Sequence, residues 1–287
     1  MKIIVPASSS NLGCGFDSVG LAVNLYLEVE VVQESEKWLV HHHLGEEIPH
    51  NEDNLIVQTA LKVTPHLKPH TLKIRSTIPL ARGLGSSSSA IVAGIELACQ
   101  LGNRALSLDE KALIACRLEG HPDNVVPAIL GGLVVSSYVQ ESLTYCKLHL
   151  PPCAIIAFIP NYKVFTVEAR KALPDTLSFG DAVRASSIAN VMLSALSNGD
   201  MRMAGQMMEQ DLIHEPYRAG LIPDLAKIRS IARSYGAYTT YISGAGSSII
   251  SFIENGKEDR LMGVLQHERD ACMVKLEPDL VGVRVIL

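Results

Sequence analysis

Pro79-Leu-Ala-Arg-Gly-Leu-Gly-Ser-Ser-Ser-Ser-Ala90 runs without a break into Ile91–Leu101, a segment apolar nearly all round. That segment reads as a helix buried on most sides, which places the glycine- and serine-rich stretch at a helix N-terminus. Glycine lets backbone N–H groups turn toward an anion with no Cβ in the way. The helix end adds a partial positive charge, and the serine hydroxyls add donors. Gly83, Leu84, Gly85 and Ser86 to Ser89, which follow Pro79, Leu80, Ala81 and Arg82, therefore read as a phosphate cradle. A flexible Gly/Ser loop is the bland alternative, but such a loop is rarely framed by a strand-ending proline and a buried helix. No GK[ST] and no GxGxxG occurs in the chain, so neither a Lys-bearing P-loop nor a dinucleotide fingerprint is present.

Upstream of the cradle, residues 2–5 predict a strand ending at Pro6, followed by a polar loop from Ala7 to Gly20. Leu21–Val32 predicts a strand pair or one long strand, alternating at Leu25, Leu27, Val29 and Val31. Asn54–Val63 has helical spacing, and Leu72, Ile74 and Ile78 mark an extended segment. Downstream, Ser107 and Glu110 form a capping-box pattern for a helix through Leu118, with Gly120 where a C-cap glycine belongs. His121-Pro-Asp-Asn124 reads as a turn, and Val125–Leu130 with Gly131-Gly132 leads to a strand at Leu133–Val135. Pro151-Pro152 marks a boundary between a domain at 1–150 and another at 153–287. The second holds a strand at Cys153–Ile159 and helices over Asp181–Leu196, Met201–Asp211 and Pro223–Tyr235. A strand at Tyr238–Ile242 breaks at Ser243-Gly-Ala-Gly-Ser-Ser248 and resumes at Ile249–Ile253, and Leu280–Leu287 reads as a terminal strand. No regular βαβ rhythm runs through these elements, so the fold class is α+β in two domains rather than a doubly wound sheet.

Composition excludes several classes. The 287 residues are 47% apolar and 19% charged, which rules out wholesale disorder. Twenty-five basic against thirty acidic residues leave a net charge of −5, arguing against nucleic acid or an anionic membrane as partner. No apolar stretch approaches the roughly 18 residues of a membrane span. The apolar start before Pro6 is too short for a signal peptide, so a cytoplasmic protein is expected. None of the six cysteines has CxxC spacing, which removes zinc ribbons and leaves reduced thiols as the expectation.

Glu119, His121, Asp123 and Asn124 lie within six residues. They read either as a Mg²⁺ site, since Mg²⁺ takes one or two carboxylates and completes its shell with water and phosphate, or as a capped helix and a solvated turn. His41-His42-His43 cannot converge on one ion, because adjacent strand residues point to alternate faces. Met201, Met203, Met207 and Met208 read as helix core.

Three separated motifs resemble those of the GHMP small-molecule kinases: Pro79–Ala90 their nucleotide loop, Ser8–Asp17 their N-terminal substrate motif, and Ser243-Gly-Ala-Gly246 their C-terminal glycine loop. Pro6–Asp17, Glu119-Gly-His-Pro-Asp-Asn124, Thr166-Val-Glu-Ala-Arg170 and Glu215-Pro-Tyr-Arg218 are similar to the homoserine kinase family of that superfamily, in order along nearly the whole chain. The resemblance implies an N-terminal domain of the ribosomal-protein-S5 domain 2 type and a ferredoxin-like α+β C-terminal domain. It implies ATP as co-substrate, Mg²⁺, a homodimer, and phosphorylation of the side-chain hydroxyl of L-homoserine in threonine biosynthesis. By the same resemblance Asn11 and Asp17 hold the amino acid, Arg170 and Arg218 its carboxylate, and Ser87 and Glu119 the metal. Asn54 lines the adenine pocket, Gly244 and Gly246 belong to the nucleotide side, Thr166 lies near the γ-phosphate, and His121 and Asn124 near the reacting hydroxyl.

The side-chain chemistry suits those roles. A guanidinium fork fits a carboxylate with two bonds, and a carboxylate suits an ammonium. Other GHMP kinases place an aspartate where this chain has Asn124, and an amide cannot accept a proton at neutral pH. Asp123 is expected to face away, as neighbours in an extended turn do. Transfer without a protein base is therefore expected, since phosphoryl transfer depends mainly on positioning and charge stabilisation. Some relatives carry a lysine shortly before the nucleotide loop, a region that here reads Lys73-Ile-Arg-Ser76. Mevalonate or shikimate phosphorylation on the same fold, and a non-catalytic ligand sensor, are the alternative readings.

Overall fold

The computed structural model describes residues 1–267 and 271–287. The first half of the chain runs β1 (Lys2–Ser10), β2 (Val19–Glu34), β3 (Leu39–His41), α1 (Leu55–Val63), β4 (His70–Ser76), α2 (Ser86–Leu101), α3 (Leu108–Glu119), α4 (Val125–Leu130), β5 (Leu133–Val139) and β6 (Ser142–Leu148). The second half runs β7 (Ala154–Pro160), α5 (Thr166–Lys171), α6 (Phe179–Ser197), α7 (Met201–Met208), α8 (Glu215–Arg218), α9 (Leu225–Ser234), β8 (Ala237–Ile242), β9 (Ile249–Ile253), α10 (Glu258–Leu265), β10 (Ala271–Leu276) and β11 (Arg284–Ile286).

One sheet has the order β11-β1-β2-β4-β3, with β5 against β2 and β6 against β5. Pro6 does not end β1. The strand continues to Ser10, and its register on β2 shifts between Pro6 and Ala7. A proline lacks the ladder donor, and an irregularity of this kind is where a strand accommodates one. The polar loop thus shortens to residues 11–18, and Ser8, Ser9 and Ser10 lie buried inside the sheet. The capping box at Ser107 and Glu110 is formed, and Gly120 closes α3 at φ 90.

The second sheet has the order β10-β7-β9-β8, all antiparallel. With α9 before β8 and α10 before β10, this is the split β-α-β arrangement of a ferredoxin-like unit. Pro151-Pro152 stands between the two sheets, but the chain end crosses that division. β11 pairs with β1 in the first sheet, so the strand expected over Leu280–Leu287 is short and belongs to the N-terminal unit. Asp279 fastens this return: its carboxylate accepts from Val281 N, Gly282 N, Tyr26 OH and Arg284.

One apolar core joins both units, with Ile3 and Val5 of β1, Ile95 and Leu97 of α2 and Ile155 and Ala157 of β7 in a single cluster. Met201 and Met208 belong to it, whereas Met203 is exposed. A smaller cluster lies between the second sheet and α9 and α10, around Phe158, Ile228 and Leu261. All six cysteines are free, and burial pushes Cys14, Cys116 and Cys153 up to about 12. Among the described residues no helix is long and apolar enough to cross a membrane.

Candidate active site

The end of β1, loop 11–18, the start of α2, the turn after α3, α5, α8 and loop 243–248 converge on one cleft. Gly85 is the N-cap of α2 at φ 71, and no side chain caps the helix. The first-turn N–H groups of a helix have no intrahelical partner. Here Ser86, Ser87 and Ser88 bring that turn to the cleft. A Cβ on Gly85 would lie 2.5 Å from Ser8 Oγ, and one on Gly83 would lie 2.0 Å from Ser243 O. Ser243 Oγ also donates to Gly83 O at 2.6 Å. The two glycine loops therefore pack backbone against backbone, and Gly244 reaches the cleft through this contact.

Several residues of the expected nucleotide loop turn away from the cleft. Leu84 is fully buried in the core. Ser89 Oγ donates to Pro6 O and Gly85 O. Arg82 donates to Pro160 O and Asn161 O, tying the loop to the end of β7, and Pro79 shares the groove beside it. Gly246 packs on Ile222, where a Cβ would lie 2.3 Å from the Ile222 side chain. Leu80 faces an adjoining apolar pocket walled by Leu27, Ile56, Ile74 and Phe165, and Ala81 lines both that pocket and the cleft. Asn54 lies in that wall, but its amide is committed: Oδ1 accepts from Ile56 N and Nδ2 donates to Pro49 O.

Glu119 and Ser87 line the cleft on one side. Glu119 Oε1 accepts from Ser88 Oγ at 2.6 Å, so in this structure the neighbour of Ser87 takes the carboxylate. The carboxylate and the two hydroxyls are a hard-oxygen set of the type Mg²⁺ accepts. Thr166, the first residue of α5, is exposed and lines the same cleft.

His121 and Asn124 share a turn but not a role. Asn124 is buried on the cleft floor with its amide held in place: Oδ1 accepts from Ser10 Oγ, and Nδ2 donates to Ser8 Oγ and Ser8 O. Asp123, expected to face away, instead lines the cleft, with Oδ1 2.6 Å from His121 Nδ1. Asp17, His121 and Asp123 place one ligand atom each within 4.8 Å of one another. Burial opposes charge on His121, but the Asp123 hydrogen bond and the Asp123, Glu119 and Asp17 charges outweigh it and raise the imidazole pKa.

At the far end Asn11 Oδ1 accepts from Asp17 N, and its Nδ2 donates to Gly244 O, fixing the loop. Asp17 and Arg170, expected at different groups of a ligand, hold each other through two bonds of 2.8 and 3.1 Å. Burial lowers the Arg170 pKa, but the Asp17 pair more than compensates. Arg218 is 2% exposed. It donates to Ala169 O, Gly244 O and His214 Nδ1, and it stands 5.2 Å over the Phe16 ring. Among the described residues no carboxylate pairs with it. Burial, then the nearby Arg170 charge, pushes this guanidinium down to about 10. Asp123 belongs to the polar turn already singled out and Phe16 to the Ser8–Asp17 motif, whereas His214, which supports Arg218, is the residue that nothing in the sequence singled out.

Two family models match the chain, the GHMP kinases N terminal domain over residues 54–132 and the GHMP kinases C terminal domain over residues 192–266. A homoserine kinase of Enterococcus faecalis is 54% identical over 286 residues, covering 99% of this chain and 100% of its own. A solved Listeria monocytogenes structure assigned as a homoserine kinase superposes with a TM-score of 0.89 at 45% identity, covering 100% of this chain and 99% of its own. The homoserine kinase of Cytophaga hutchinsonii gives 0.87 at 25% identity, with coverage of 100% and 97%. An uncapped helix start beneath a glycine loop, a cleft carrying two arginines and a ferredoxin-like second sheet thus coincide with full-length matches, and the chain belongs to the GHMP kinases, within their homoserine kinase group.

Proposed function

We propose that the chain transfers the γ-phosphoryl group of ATP to the side-chain hydroxyl of L-homoserine, giving O-phospho-L-homoserine for threonine biosynthesis. The observation that carries the substrate class is Arg218, a buried guanidinium on the cleft whose partners are all neutral. A buried charge without a counterion is costly, and a ligand carboxylate relieves that cost. Asp17, beside it, supplies a carboxylate for an ammonium, which shikimate and mevalonate lack.

In this reading the uncapped turn of α2 binds the ATP phosphates through its N–H groups and the hydroxyls of Ser86 and Ser87, and the apolar pocket holds the base. Ser87 and Glu119 would hold Mg²⁺, which when bound neutralises charge on the phosphates. Arg218 and Arg170 grip the substrate carboxylate, and Asp17, released from Arg170, takes the ammonium. Thr166 stands by the γ-phosphate. Asn124, engaged with Ser8 and Ser10, acts through the shape of the floor rather than by touching the hydroxyl. Asp123 accepts the hydroxyl's hydrogen bond at Oδ2 while Oδ1 stays tied to His121. The transition state is loose, so the proton leaves late and positioning supplies most of the acceleration. The cytoplasmic homodimer belongs to the same proposal on the strength of the family resemblance, and sedimentation tests its oligomeric part.

Coupled ADP release with homoserine, mevalonate and shikimate tests the reading. Homoserine is expected to dominate by about 10⁴ in kcat/KM, because a site with buried charges rejects ligands that leave them unpaired. Preference for a substrate without an ammonium would overturn it.

A further inference from the structure

We infer that His214 is a positioning residue for Arg218: its neutral imidazole supplies the acceptor that aims the guanidinium at the cleft while leaving its charge available to a ligand. The inference rests on the proposed role of Arg218 as the carboxylate grip.

His214 is 0% exposed and precedes α8, with Arg218 one turn further on. Its Nε2 lies 2.8 Å from Gly13 O, and its Nδ1 lies 3.3 Å from Arg218 NH1. A carbonyl only accepts and a guanidinium only donates. Both bonds form together in one state alone, the neutral tautomer with hydrogen on Nε2. The imidazole also stacks on Phe16, with centroids 5.2 Å apart and planes at 25°, and Arg218 stands over the same ring. His214 thus joins the substrate loop to the guanidinium.

The two acids closest along the chain are kept from Arg218. Asp211 Oδ1 accepts from Ile213 N, and its Oδ2 accepts from His214 N and Glu215 N. Glu215 Oε1 accepts from Ile242 N, and its Oε2 pairs with Arg229 at 2.6 Å. A carboxylate at position 214 would give Arg218 an internal counterion and compete with any ligand carboxylate. A neutral acceptor fixes direction without that competition.

Two variants separate the two bonds of the imidazole. His214→Gln places an amide N–H where Nε2 was, keeping the Gly13 tie and losing the acceptor for Arg218. His214→Asn places an amide oxygen where Nδ1 was, keeping the acceptor and losing the tie. Steady-state kinetics should show the homoserine KM of His214→Gln raised about tenfold, the scale of one hydrogen bond to a charged group. Its kcat and ATP KM should stay within about twofold of the parent. His214→Asn should keep the homoserine KM within about threefold. Equal rises in both variants, or a parallel change in ATP KM, would show a merely structural histidine. Should the parent fail to phosphorylate homoserine, the functional reading falls, and calorimetric binding of 4-hydroxybutyrate to parent and both variants still decides the role of His214 by the same ordering.

Discussion

Asp17→Asn should weaken homoserine binding and strengthen the binding of the same molecule without its amine, 4-hydroxybutyrate. Asp17 and Arg170 share two bonds of 2.8 and 3.1 Å, and their side chains are 34% and 38% exposed. At that exposure solvent screens the pair, which places it near the upper end of the surface range, about 1 kcal/mol. A ligand carboxylate that reaches Arg170 in the parent must displace Asp17 and forfeit that amount. With asparagine the competition disappears, so 4-hydroxybutyrate should gain about fivefold in affinity, the factor that about 1 kcal/mol represents. Homoserine loses a charge-assisted contact to its ammonium, about 1.5–3 kcal/mol, but recovers the same roughly 1 kcal/mol at Arg170, so its net loss is roughly 2- to 30-fold. 3-Aminopropan-1-ol, which keeps the amine and lacks the carboxylate, should lose affinity as homoserine does. Titration calorimetry of the three ligands against parent and variant reads all three directions at once. Were 4-hydroxybutyrate to bind the variant no better than the parent, the Asp17–Arg170 pair would not compete with a ligand carboxylate, and the exchange would be refuted.

Gly85→Val should abolish ATP binding, because a Cβ there meets Ser8 Oγ at 2.5 Å on a backbone at φ 71; unchanged nucleotide affinity by titration would remove the cradle assignment. Glu119→Gln should cut turnover far more than homoserine binding, and activity within about twofold at saturating Mg²⁺, about 0.4 kcal/mol on the barrier, would exclude Glu119 as a ligand. Asp123→Asn should lower kcat by less than about tenfold if the carboxylate only positions the hydroxyl, whereas a loss of about 10²–10⁴ would mark it as a general base. Asp279→Asn should destabilise the fold by about 1–2 kcal/mol near neutrality. Burial raises the Asp279 pKa, but its bonds from Gly282 N, Tyr26, Arg284 and Val281 N hold it below the usual carboxylate value. Its contribution is therefore complete above about 3.9 and lost as pH falls through the lower folded value. Urea midpoints of parent and variant should converge below about pH 4, and a constant gap would deny Asp279 that contribution.

The sequence was most readable where residue type alone dictates backbone behaviour. Gly83 and Gly85 adopt positive φ, as loop-forming glycines can, Ser107 and Glu110 make both bonds of their capping box, and Ile91–Cys99 is buried as its nearly all-round apolar pattern requires. Reading failed where short elements lean on distant partners. The turn joining β5 to β6 puts Gln140 and Glu141 at φ 50 and 59, a left-handed pair without the Asn-Gly signal that normally announces such a hairpin. The six residues of α5 bury only Ala169 and expose Val167, so no apolar stripe marks the helix that carries Arg170. Adjacent residues of an extended turn are expected to face apart, yet Asp123 and Asn124 both line the cleft, Asn124 with its amide tied to Ser8 and Ser10 and Asp123 with Oδ1 against His121.

A deeper reason separates the residue list from the site. Motifs report which side chains have suitable chemistry, but a side chain binds a ligand only with the capacity that the fold leaves unused. Asn54, Asn124, Ser89 and Arg82 all carry donors or acceptors fit for a nucleotide or an alcohol, yet each has them engaged by a helix cap, a buried strand or a neighbouring carbonyl. Arg218 is the opposite case. Its three protein partners satisfy its geometry but not its charge, and the acids within reach are held by Ile242 N, Arg229 and three backbone N–H groups around Asp211. Asp211 is held by its own neighbours, but Gly244 lies 26 residues from Arg218, Ile242 lies 27 from Glu215 and Asn124 lies 116 from Ser8, so no local pattern encodes the whole arrangement. The unmatched charge of Arg218 is a property of the folded chain, and it is that property, more than the presence of an arginine at position 218, that selects a carboxylate as ligand.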